Sequence, residues 1–258
     1  ELKCLSEFYN DSIKKIDVSK NKFQENKFYK NYLKQFTPGT YSKLYLKHDR
    51  AICDYEYKIS NKPYFMPPFS YKLDNKVYLE ETILHTIYIQ LCDAVKKRVI
   101  TSDREIACLL SGGLDSSLIA ALVKRHYKGE LHTWSIGMEG SEDLKYAKMV
   151  ADHIGSIHHS IIVTEEEFLS YIPQVIKTIE SYDTTTVRAS VGNYLIGKYI
   201  RQFSEAKVIF NGDGSDELAG GYMYFHAAPS EKDFDIECKT LLKFIHTFDV
   251  LRSDKSIS

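Results

Sequence analysis

A segment rich in glycine and serine is the first part of this chain that could do chemistry. It occupies residues 111–117 and reads SGGLDSS, between a short apolar run and a helical pattern. At the start of a helix, backbone N–H groups and the helix dipole converge on an anion. Two adjacent glycines let a phosphate approach the backbone, and three serines add hydroxyl donors. The segment therefore predicts a phosphate-binding loop.

Asp115 is the informative exception within this loop, because a bare carboxylate would repel phosphate. Its presence favours a Mg²⁺ ion that neutralises a polyphosphate. A glycine turn followed by an acidic helix start is the structural alternative. The loop lacks both the Gly-Lys-Ser/Thr of a Walker A motif and the glycine spacing of a dinucleotide fingerprint. It is similar instead to the PP-loop of the ATP pyrophosphatases.

A second loop, residues 211–222 with the sequence NGDGSDELAGGY, follows the apolar run that ends near Phe210. In open α/β sheets, ligands bind beyond the carboxyl ends of the strands. We therefore expect both loops to face one crevice, with Asp216 opposite Asp115 as a second carboxylate for Mg²⁺. A glycine-rich acidic surface turn is the alternative interpretation.

Two further segments carry weaker signals. Residues 180–190, ESYDTTTVRAS, offer the Thr185 hydroxyl and the Arg188 guanidinium, which suit a carboxylate substrate. Helix capping is the alternative for this segment, since Thr and Ser are common caps. Residues 134–138, WSIGM, end a strand at a glycine, where the backbone could bond a flat adenine ring. A plain strand-ending turn is the alternative there.

The elements that must position these segments alternate between strand and helix. The periodicity predicts helices at 79–99, 114–127, 143–154, 165–181 and 189–203, and strands at 106–110, 131–136, 160–163 and 208–210. Such alternation specifies right-handed βαβ units. We therefore predict an α/β fold with a doubly wound, mostly parallel sheet.

The chain divides into three predicted parts. Residues 1–60 are rich in Tyr, Lys and Asn, and a turn pattern at 37–40 favours a hairpin. Residues 61–78 contain three prolines and are interpreted as a linker. Residues 79–258 form the α/β domain. Since the chain begins with Glu1 and ends just after a helical pattern, we expect a fragment cut at both ends.

Taken in order, these segments resemble the synthetase domain of class B, glutamine-hydrolysing asparagine synthetases, which belong to the PP-loop ATP pyrophosphatases. The resemblance runs from about residue 78 to 258 and implies an adenine nucleotide α-hydrolase-like fold. Residues 1–60 resemble the end of the family's N-terminal, Ntn-type glutaminase β domain. The implied activity is adenylation of the aspartate β-carboxylate by ATP, then amidation by glutamine-derived ammonia to give asparagine, AMP and pyrophosphate.

The resemblance also implies roles for individual residues. The loop residues that would bind the pyrophosphate part of ATP are Ser111, Gly112, Gly113, Asp115, Ser116 and Ser117. The residues that would contact the nucleoside are Leu109, Ile136, Asn211 and Gly212. Asp115 and Asp216 would ligate Mg²⁺. The catalytic set would be Asp213, Arg188 and Thr185, with Thr185 and Arg188 holding aspartate or its adenylate.

Two features depart from the family's pattern. The acidic loop usually begins Ser-Gly-Glu-Gly, whereas this chain has Asn211 and Asp213. Asp213 keeps the carboxylate but shortens its reach by about 1.5 Å, and a misplacement of about 1 Å can cost on the order of a hundredfold in rate. The family's domain also continues past residue 258 and supplies a phosphate-neutralising lysine from there, so activity of this chain alone is in doubt.

Three alternatives stay open from the residues alone. One is a PP-loop enzyme acting on tRNA, which would favour a basic cleft and paired cysteines. Another is a different amide- or lactam-forming synthetase, because Thr185 and Arg188 do not fix the acid substrate. The third is an inactive relative that binds nucleotide or only a partner.

Composition narrows the setting. The formal net charge of −1 excludes a whole-chain field that would attract nucleic acid or a membrane, and no run of apolar residues is long enough to span one. The five cysteines are scattered without a C-x-x-C pair, which argues against disulfides and a zinc site. We therefore expect a cytoplasmic protein whose partners are small molecules, with a homodimer compatible with the family.

Overall fold

The computed structural model describes residues 39–49, 54–65 and 79–244. The chain separates into two compact units, residues 1–73 and residues 74–258. Everything that bears on the phosphate loop lies in the second unit. The units are described separately.

The first unit contains a two-stranded antiparallel hairpin, but the turn pattern at 37–40 that predicted it lies at the open end and not between the strands. β1 (Thr40–Asp49) pairs with β2 (Asp54–Pro63), and the register runs from Thr40 opposite Pro63 to Asp49 opposite Asp54. Gly39 has a positive φ of 70° and accepts backbone hydrogen bonds from the two residues that follow β2. It therefore stands at the open end of the hairpin. β2 also continues three residues into the range predicted as linker.

The second unit alternates strands and helices around a parallel sheet. Its helices are α1 (Glu80–Thr101), α2 (Leu114–His126), α3 (Glu142–Ile154), α4 (Glu165–Ser170), α5 (Ile172–Ile179), α6 (Thr184–Phe203), α7 (Ser215–Ala219) and α8 (Glu231–Phe244), with a 3₁₀ turn at Met223–Ala227. Its strands are β3 (Ile106–Leu109), β4 (His132–Gly137), β5 (Ile157–Ile162) and β6 (Val208–Phe210). The sheet order is β5-β4-β3-β6, and all three pairings are parallel.

Both faces of the sheet are covered, which confirms the predicted doubly wound α/β class. Along β3, Ile106 and Cys108 pack into one apolar cluster with residues of α1, α2 and α3. Ala107 points to the opposite face, where it shares a second cluster with Ile196 and Ile200 of α6. Alternation along a strand puts neighbours on opposite faces, so a continuous apolar run fits a sheet buried on both sides.

Three predictions differ from the structure by more than two residues. The helix predicted at 165–181 is two helices that meet at Tyr171, because Pro173 lies in the first turn of α5 and cannot donate a backbone hydrogen bond within a continuous helix. α6 begins at Thr184 rather than 189, since the Asp183 carboxylate caps it by accepting from the Thr186 amide at 2.8 Å. β5 starts at Ile157, three residues before the predicted start at residue 160.

Within the described residues, no helix is both long and apolar enough to cross a membrane.

Candidate functional site

The loop at 111–117 is closed by its own serines. Ser116 Oγ accepts from the Ser111 amide at 3.2 Å, lies 2.9 Å from Ser111 Oγ and donates to the Gly113 carbonyl at 3.2 Å. These bonds tie the end of β3 to the first turn of α2. The loop is thus shaped by hydrogen bonds within itself, and α2 begins at Leu114 immediately after it.

Gly112 is required by both conformation and space. Its φ of +82° lies in the left-handed region that L side chains rarely adopt. A Cβ there would also stand 2.6 Å from the Ala147 amide and 2.6 Å from Tyr146 Cβ, both on α3. Gly113 differs, because the nearest atom to its Cβ would be Ser111 Oγ at 3.5 Å. Of the two predicted loop glycines, only Gly112 is fixed by packing.

The loop that follows β6 lies directly against the start of α2. A Cβ on Gly212 would stand 2.7 Å from the Ser116 amide nitrogen and 2.8 Å from the Asp115 carbonyl carbon. A side chain there would have to displace backbone, so only glycine lets the two loops meet. The two loops expected to face one crevice are therefore in backbone contact.

One cavity of about 370 Å³ lies between these loops, and it is called the acidic cavity below. Its lining residues are Leu109, Ser111, Asp115, Ser116, Asn193, Asn211, Gly212, Asp213, Gly214, Ser215, Asp216, Glu217 and Tyr222. Four of these described residues are acidic and none is Lys or Arg. The cavity therefore carries concentrated negative charge that its own lining does not neutralise.

The second loop is ordered by turns and local hydrogen bonds. Gly214 and Gly220 have positive φ values of 98° and 67° and bracket the short helix α7. The Tyr222 hydroxyl donates to Glu217 Oε1 across the turn. Asn211 Nδ2 donates to Asp213 Oδ2 at 2.7 Å. These contacts hold two of the four acidic side chains in defined positions.

The donor set of the cavity suits a magnesium–phosphate complex better than a bare metal ion. Among the described residues, no group of three or more His, Cys, Asp or Glu side chains is arranged to hold a metal. Asp115 and Asp216 nevertheless line the same cavity. Mg²⁺ is commonly held by one or two carboxylates together with substrate phosphates. These two carboxylates therefore fit an ion that arrives with a polyphosphate.

Several predicted site residues lie outside the lining of the acidic cavity. Thr185 and Arg188 occupy the first two turns of α6 and are exposed. Ile136, on β4, is half-buried and packs against the apolar clusters beneath α6. Ser117 belongs to the loop at 111–117, but its Oγ is buried and has no hydrogen-bond partner among the residues that the structure describes.

The sequence-based reasoning missed some residues that line the cavity. Asn193 lies on α6 and also borders a second cavity of about 580 Å³, which α6 forms with β3 and β6. Thr186, Ser190 and Asn193 recur at helical spacing on α6, so a polar stripe was available as a signal. Glu217 and Tyr222 were part of the quoted motif but were given no role.

A second polar cluster lies on the same sheet and is called the histidine network below; it consists of Thr133, Ser135, Ser156 and His158. His158 Nδ1 is 2.9 Å from Thr133 Oγ1, and its Nε2 is 3.0 Å from Ser135 Oγ. Thr133 Oγ1 also bonds Ser156 Oγ at 2.9 Å. Burial, followed by the charge of Lys148, lowers the pKa of His158.

His159 points to the other face of the sheet. Its ring stacks on Trp134 with 4.1 Å between centroids, and its Nε2 lies 2.9 Å from His132 Nδ1. Burial, followed by His132, lowers the pKa of His159. Both histidines thus have partners inside the fold.

The fold and the site define an α/β protein whose phosphate loop follows the first strand of a parallel sheet and faces an acidic loop across one crevice. The family model for asparagine synthase matches residues 86–253. The chain therefore belongs to the asparagine synthase family.

Glutamine-hydrolysing asparagine synthetases are among its relatives. The human enzyme is 51% identical over 181 residues, which cover 68% of this chain and 32% of that protein. The rat enzyme is 44% identical over 230 residues, covering 86% of this chain and 41% of that protein. The chain thus spans between about a third and two fifths of the length of these relatives.

Solved structures with a similar arrangement include an NH₃-dependent NAD synthetase from Campylobacter jejuni, with 24% identity and a TM-score of 0.39. The match covers 54% of this chain and 60% of that chain. An NMN synthetase from Francisella tularensis gives 14% identity and a TM-score of 0.40, with 54% and 58% covered.

Proposed function

We propose that this chain carries the synthetase chemistry of a glutamine-hydrolysing asparagine synthetase. It would activate the β-carboxylate of aspartate with ATP and transfer the acyl group to ammonia. The observation that carries the proposal is the backbone contact between the phosphate loop and the acidic loop at Gly212, which makes them the two walls of one cavity. Membership of the asparagine synthase family supports it.

The phosphate loop would bind the pyrophosphate part of ATP. The residues of this group are Ser111, Gly112, Gly113, Asp115, Ser116 and Ser117. Within the described residues the buried Ser117 Oγ has no hydrogen-bond partner, a capacity that an ordered water would fill. Leu109, Ile136 and Gly212 would contact the nucleoside from the ends of β3, β4 and β6.

Asp115 and Asp216 would hold Mg²⁺ together with the phosphates. The ion would supply charge neutralisation, which this cavity needs because its described lining is acidic without a basic residue. In its absence the four carboxylates would repel a triphosphate. The proposal therefore requires the metal and the nucleotide to bind together.

The protein's own groups would act in two steps. An oxygen of the aspartate β-carboxylate attacks the α-phosphorus of ATP, and pyrophosphate leaves into the N–H groups of the phosphate loop. Ammonia then attacks the acyl carbon, and AMP leaves. Thr185 and Arg188 would hold the aspartate, and Asp213 would accept the proton that the attacking nitrogen loses. Catalysis then rests mainly on positioning and charge.

The source of ammonia forms part of the same proposal. The relatives are named as glutamine-hydrolysing, and residues 1–60 would be the end of a glutaminase domain that releases ammonia from glutamine. Residues 61–78 would link it to the synthetase part at 79–258. A homodimer and a cytoplasmic location stay predictions.

The test is aspartate-dependent formation of AMP and pyrophosphate by the purified chain, with ATP, Mg²⁺ and a high concentration of ammonium. Asp115→Ala is the matched control, since Asp115 is an exposed side chain of the loop and its loss should spare the core. We expect product in the parent chain and none in the variant. Product formed without any added acid would show hydrolysis of ATP, whereas product that requires a different added carboxylic acid would point to another substrate, such as that of a lactam-forming synthetase.

A nucleotide-binding relative without turnover is the second candidate. The absence of any basic residue from the described lining of the acidic cavity favours it, since a phosphate-transfer site usually carries a cationic side chain. Calorimetric titration with Mg²⁺-ATP would then show binding without AMP formation.

A further inference from the structure

The side chain of Asn211 is bonded to the carboxylate assigned as the proton acceptor. Its amide Nδ2 lies 2.7 Å from Asp213 Oδ2, and both side chains line the acidic cavity. The two residues flank Gly212, where a Cβ would come within 2.7 Å of the Ser116 amide nitrogen. This close packing ties the backbone between them to the phosphate loop. The hydrogen bond therefore joins the Asp213 carboxylate to a fixed part of the crevice.

Asp213 needs such a restraint for two reasons. On its C-terminal side it is followed by Gly214, which has a φ of +98° and no packing contact at its Cβ position, so the backbone there is only weakly restricted. It also shares the cavity with three other acidic side chains, which repel it. A neutral amide opposes that displacement and keeps the negative charge, whereas a lysine or arginine would cancel it.

The geometry occupies only one oxygen of the carboxylate. The bond from Asn211 goes to Oδ2, and within the described residues no hydrogen bond to Asp213 Oδ1 is recorded. Oδ1 therefore keeps its acceptor capacity for a group in the cavity.

We propose that Asn211 is a positioning residue, which holds Asp213 by Oδ2 and presents Oδ1 to the nitrogen nucleophile of the amidation step. This inference rests on the proposed function and replaces a nucleoside contact as the main role of Asn211. When the nitrogen has bonded to the acyl carbon, one N–H bond breaks, its electron pair stays on nitrogen, and the proton forms an O–H bond with Oδ1.

The two half-reactions separate this role from a nucleotide contact. Asn211→Leu is nearly isosteric and removes the donor. Aspartate-dependent exchange of pyrophosphate into ATP needs no nitrogen nucleophile, so it should persist in this variant. Asparagine formation from ammonium should fall about 10- to 100-fold through kcat, as expected for a misplaced catalytic group. Asn211→Gln keeps an amide donor and should recover part of the rate.

Gln202→Leu is the matched control, because it removes an exposed amide on α6 that does not line the acidic cavity, and it should change neither half-reaction. A double-mutant cycle with Asp213→Asn is the decisive comparison. If Asn211 acts through Asp213, the Asn211→Leu effect on amidation disappears in the Asp213→Asn background. An undiminished effect in that background, or an equal loss of pyrophosphate exchange, would overturn the proposal.

A readout without turnover distinguishes failure of this inference from failure of the proposed function. In the ¹⁵N-labelled chain, the Asn211 side-chain amide signal is assigned by its loss in Asn211→Leu. It should shift in Asp213→Asn and stay in place in Gln202→Leu. If the Asn211 signal shifts in Asp213→Asn but the parent chain forms no asparagine, the positioning contact is supported and the proposed synthetase activity is rejected. An unmoved signal in Asp213→Asn would reject the positioning role even in an active chain.

Discussion

The central sheet carries two polar clusters that differ in where their partners come from. In the histidine network, both nitrogens of the His158 ring find hydroxyl partners on β4, and the Thr133 and Ser135 side chains are buried. In the acidic cavity, Asp115 and Asp213 are exposed at the ends of β3 and β6. The first cluster makes its hydrogen bonds within the fold, whereas the second presents acidic side chains that no basic residue of its described lining balances.

The difference separates structural from functional polar groups. A buried polar group stabilises the fold when all its hydrogen bonds are made and destabilises it when one is missing. A binding site instead keeps like charges near one another, at a cost in stability, until its ligand arrives. Substitutions in the network should therefore change stability, and substitutions in the cavity should change binding.

The largest effect on stability is expected from Gly112→Ala. The new methyl group would combine a left-handed backbone with contacts of 2.6 Å to α3, and should lower the free energy of unfolding by about 3 kcal/mol. Gly113→Ala, whose Cβ would meet only Ser111 Oγ at 3.5 Å, is the matched control and should cost far less. Urea denaturation measures both, and equal losses would show that the α3 contact does not restrict the loop.

Asp115→Asn and Asp216→Asn should weaken ligand binding at the acidic cavity without destabilising the fold. Each removes a proposed Mg²⁺ ligand, so the affinity for Mg²⁺-ATP should fall at least about tenfold. The melting temperature should hold or rise, because the variants relieve repulsion among the four acidic side chains. Calorimetric titration measures the affinity, and ATP without Mg²⁺ should not bind even to the parent chain. Tight binding of metal-free ATP would contradict the charge argument.

His158→Leu should destabilise the fold through the histidine network without changing ligand binding. It leaves the Thr133 and Ser135 hydroxyls without their imidazole partner in a buried setting, at a cost of about 1–3 kcal/mol. His153→Leu, at an exposed position on α3, should stay within about 0.5 kcal/mol. Affinity for Mg²⁺-ATP, measured below the melting temperature, should be unchanged in both. A loss of affinity in His158→Leu alone would show that the two clusters are coupled.

Stability should also depend on pH through the two histidines of β5. The fold lowers the pKa of His158 and His159, so between the folded and unfolded pKa values the unfolded chain binds more protons. Their contribution is therefore complete above the unfolded value of about 6.5 and is lost as the pH falls below it. Denaturation midpoints from pH 8 to pH 5 should decrease, with a shallower slope in His158→Leu. A parallel slope would assign the dependence to other groups.

The smallest expected effect is a gain from Gly192→Ala. Gly192 lies inside α6, and a Cβ there would meet no atom within 4 Å. Replacing a glycine in a helix interior should stabilise the fold by about 0.5–1 kcal/mol. Thermal unfolding measures the gain, and a loss would reveal a contact that the described residues do not show. Comparison with Gly112→Ala contrasts a glycine that backbone conformation and packing both require with a helical glycine that neither requires.

Periodicity predicted most of the second unit, because β3 and β6 are continuous apolar runs and its longer helices have one apolar face. The strand at Val208–Phe210 and the start of α2 at Leu114 agree with the prediction. Periodicity did not predict the helix boundaries at Tyr171 and Thr184, because Pro173 determines the first and the Asp183 cap determines the second. Helix caps and helix breaks depend on single residues. A periodic pattern of apolar residues does not show which of these residues ends or begins a helix.

For the candidate site, both loops were predicted from the sequence, but the set of residues that line the acidic cavity was not. Asp115 and Asp216 share it, whereas Thr185 and Arg188 are not among its lining residues. Asn193 joins it from α6, far from either motif in sequence. Which residue of a helix reaches a cavity depends on how that helix packs on the sheet, and a motif carries no such information.

The sequence by itself determined the fold class, the place of the glycine- and serine-rich loop between β3 and α2, and the family resemblance, because these rest on local patterns: strand, glycine pair and helix start. The tertiary structure alone decided that Gly212 lies against Ser116, that Asn211 holds Asp213, and that the His158 ring is satisfied by two hydroxyls of the neighbouring strand. All three are contacts at short distance between side chains or backbone atoms that the folded chain brings together. They arise when parallel strands place segments far apart in sequence within a few ångströms of one another.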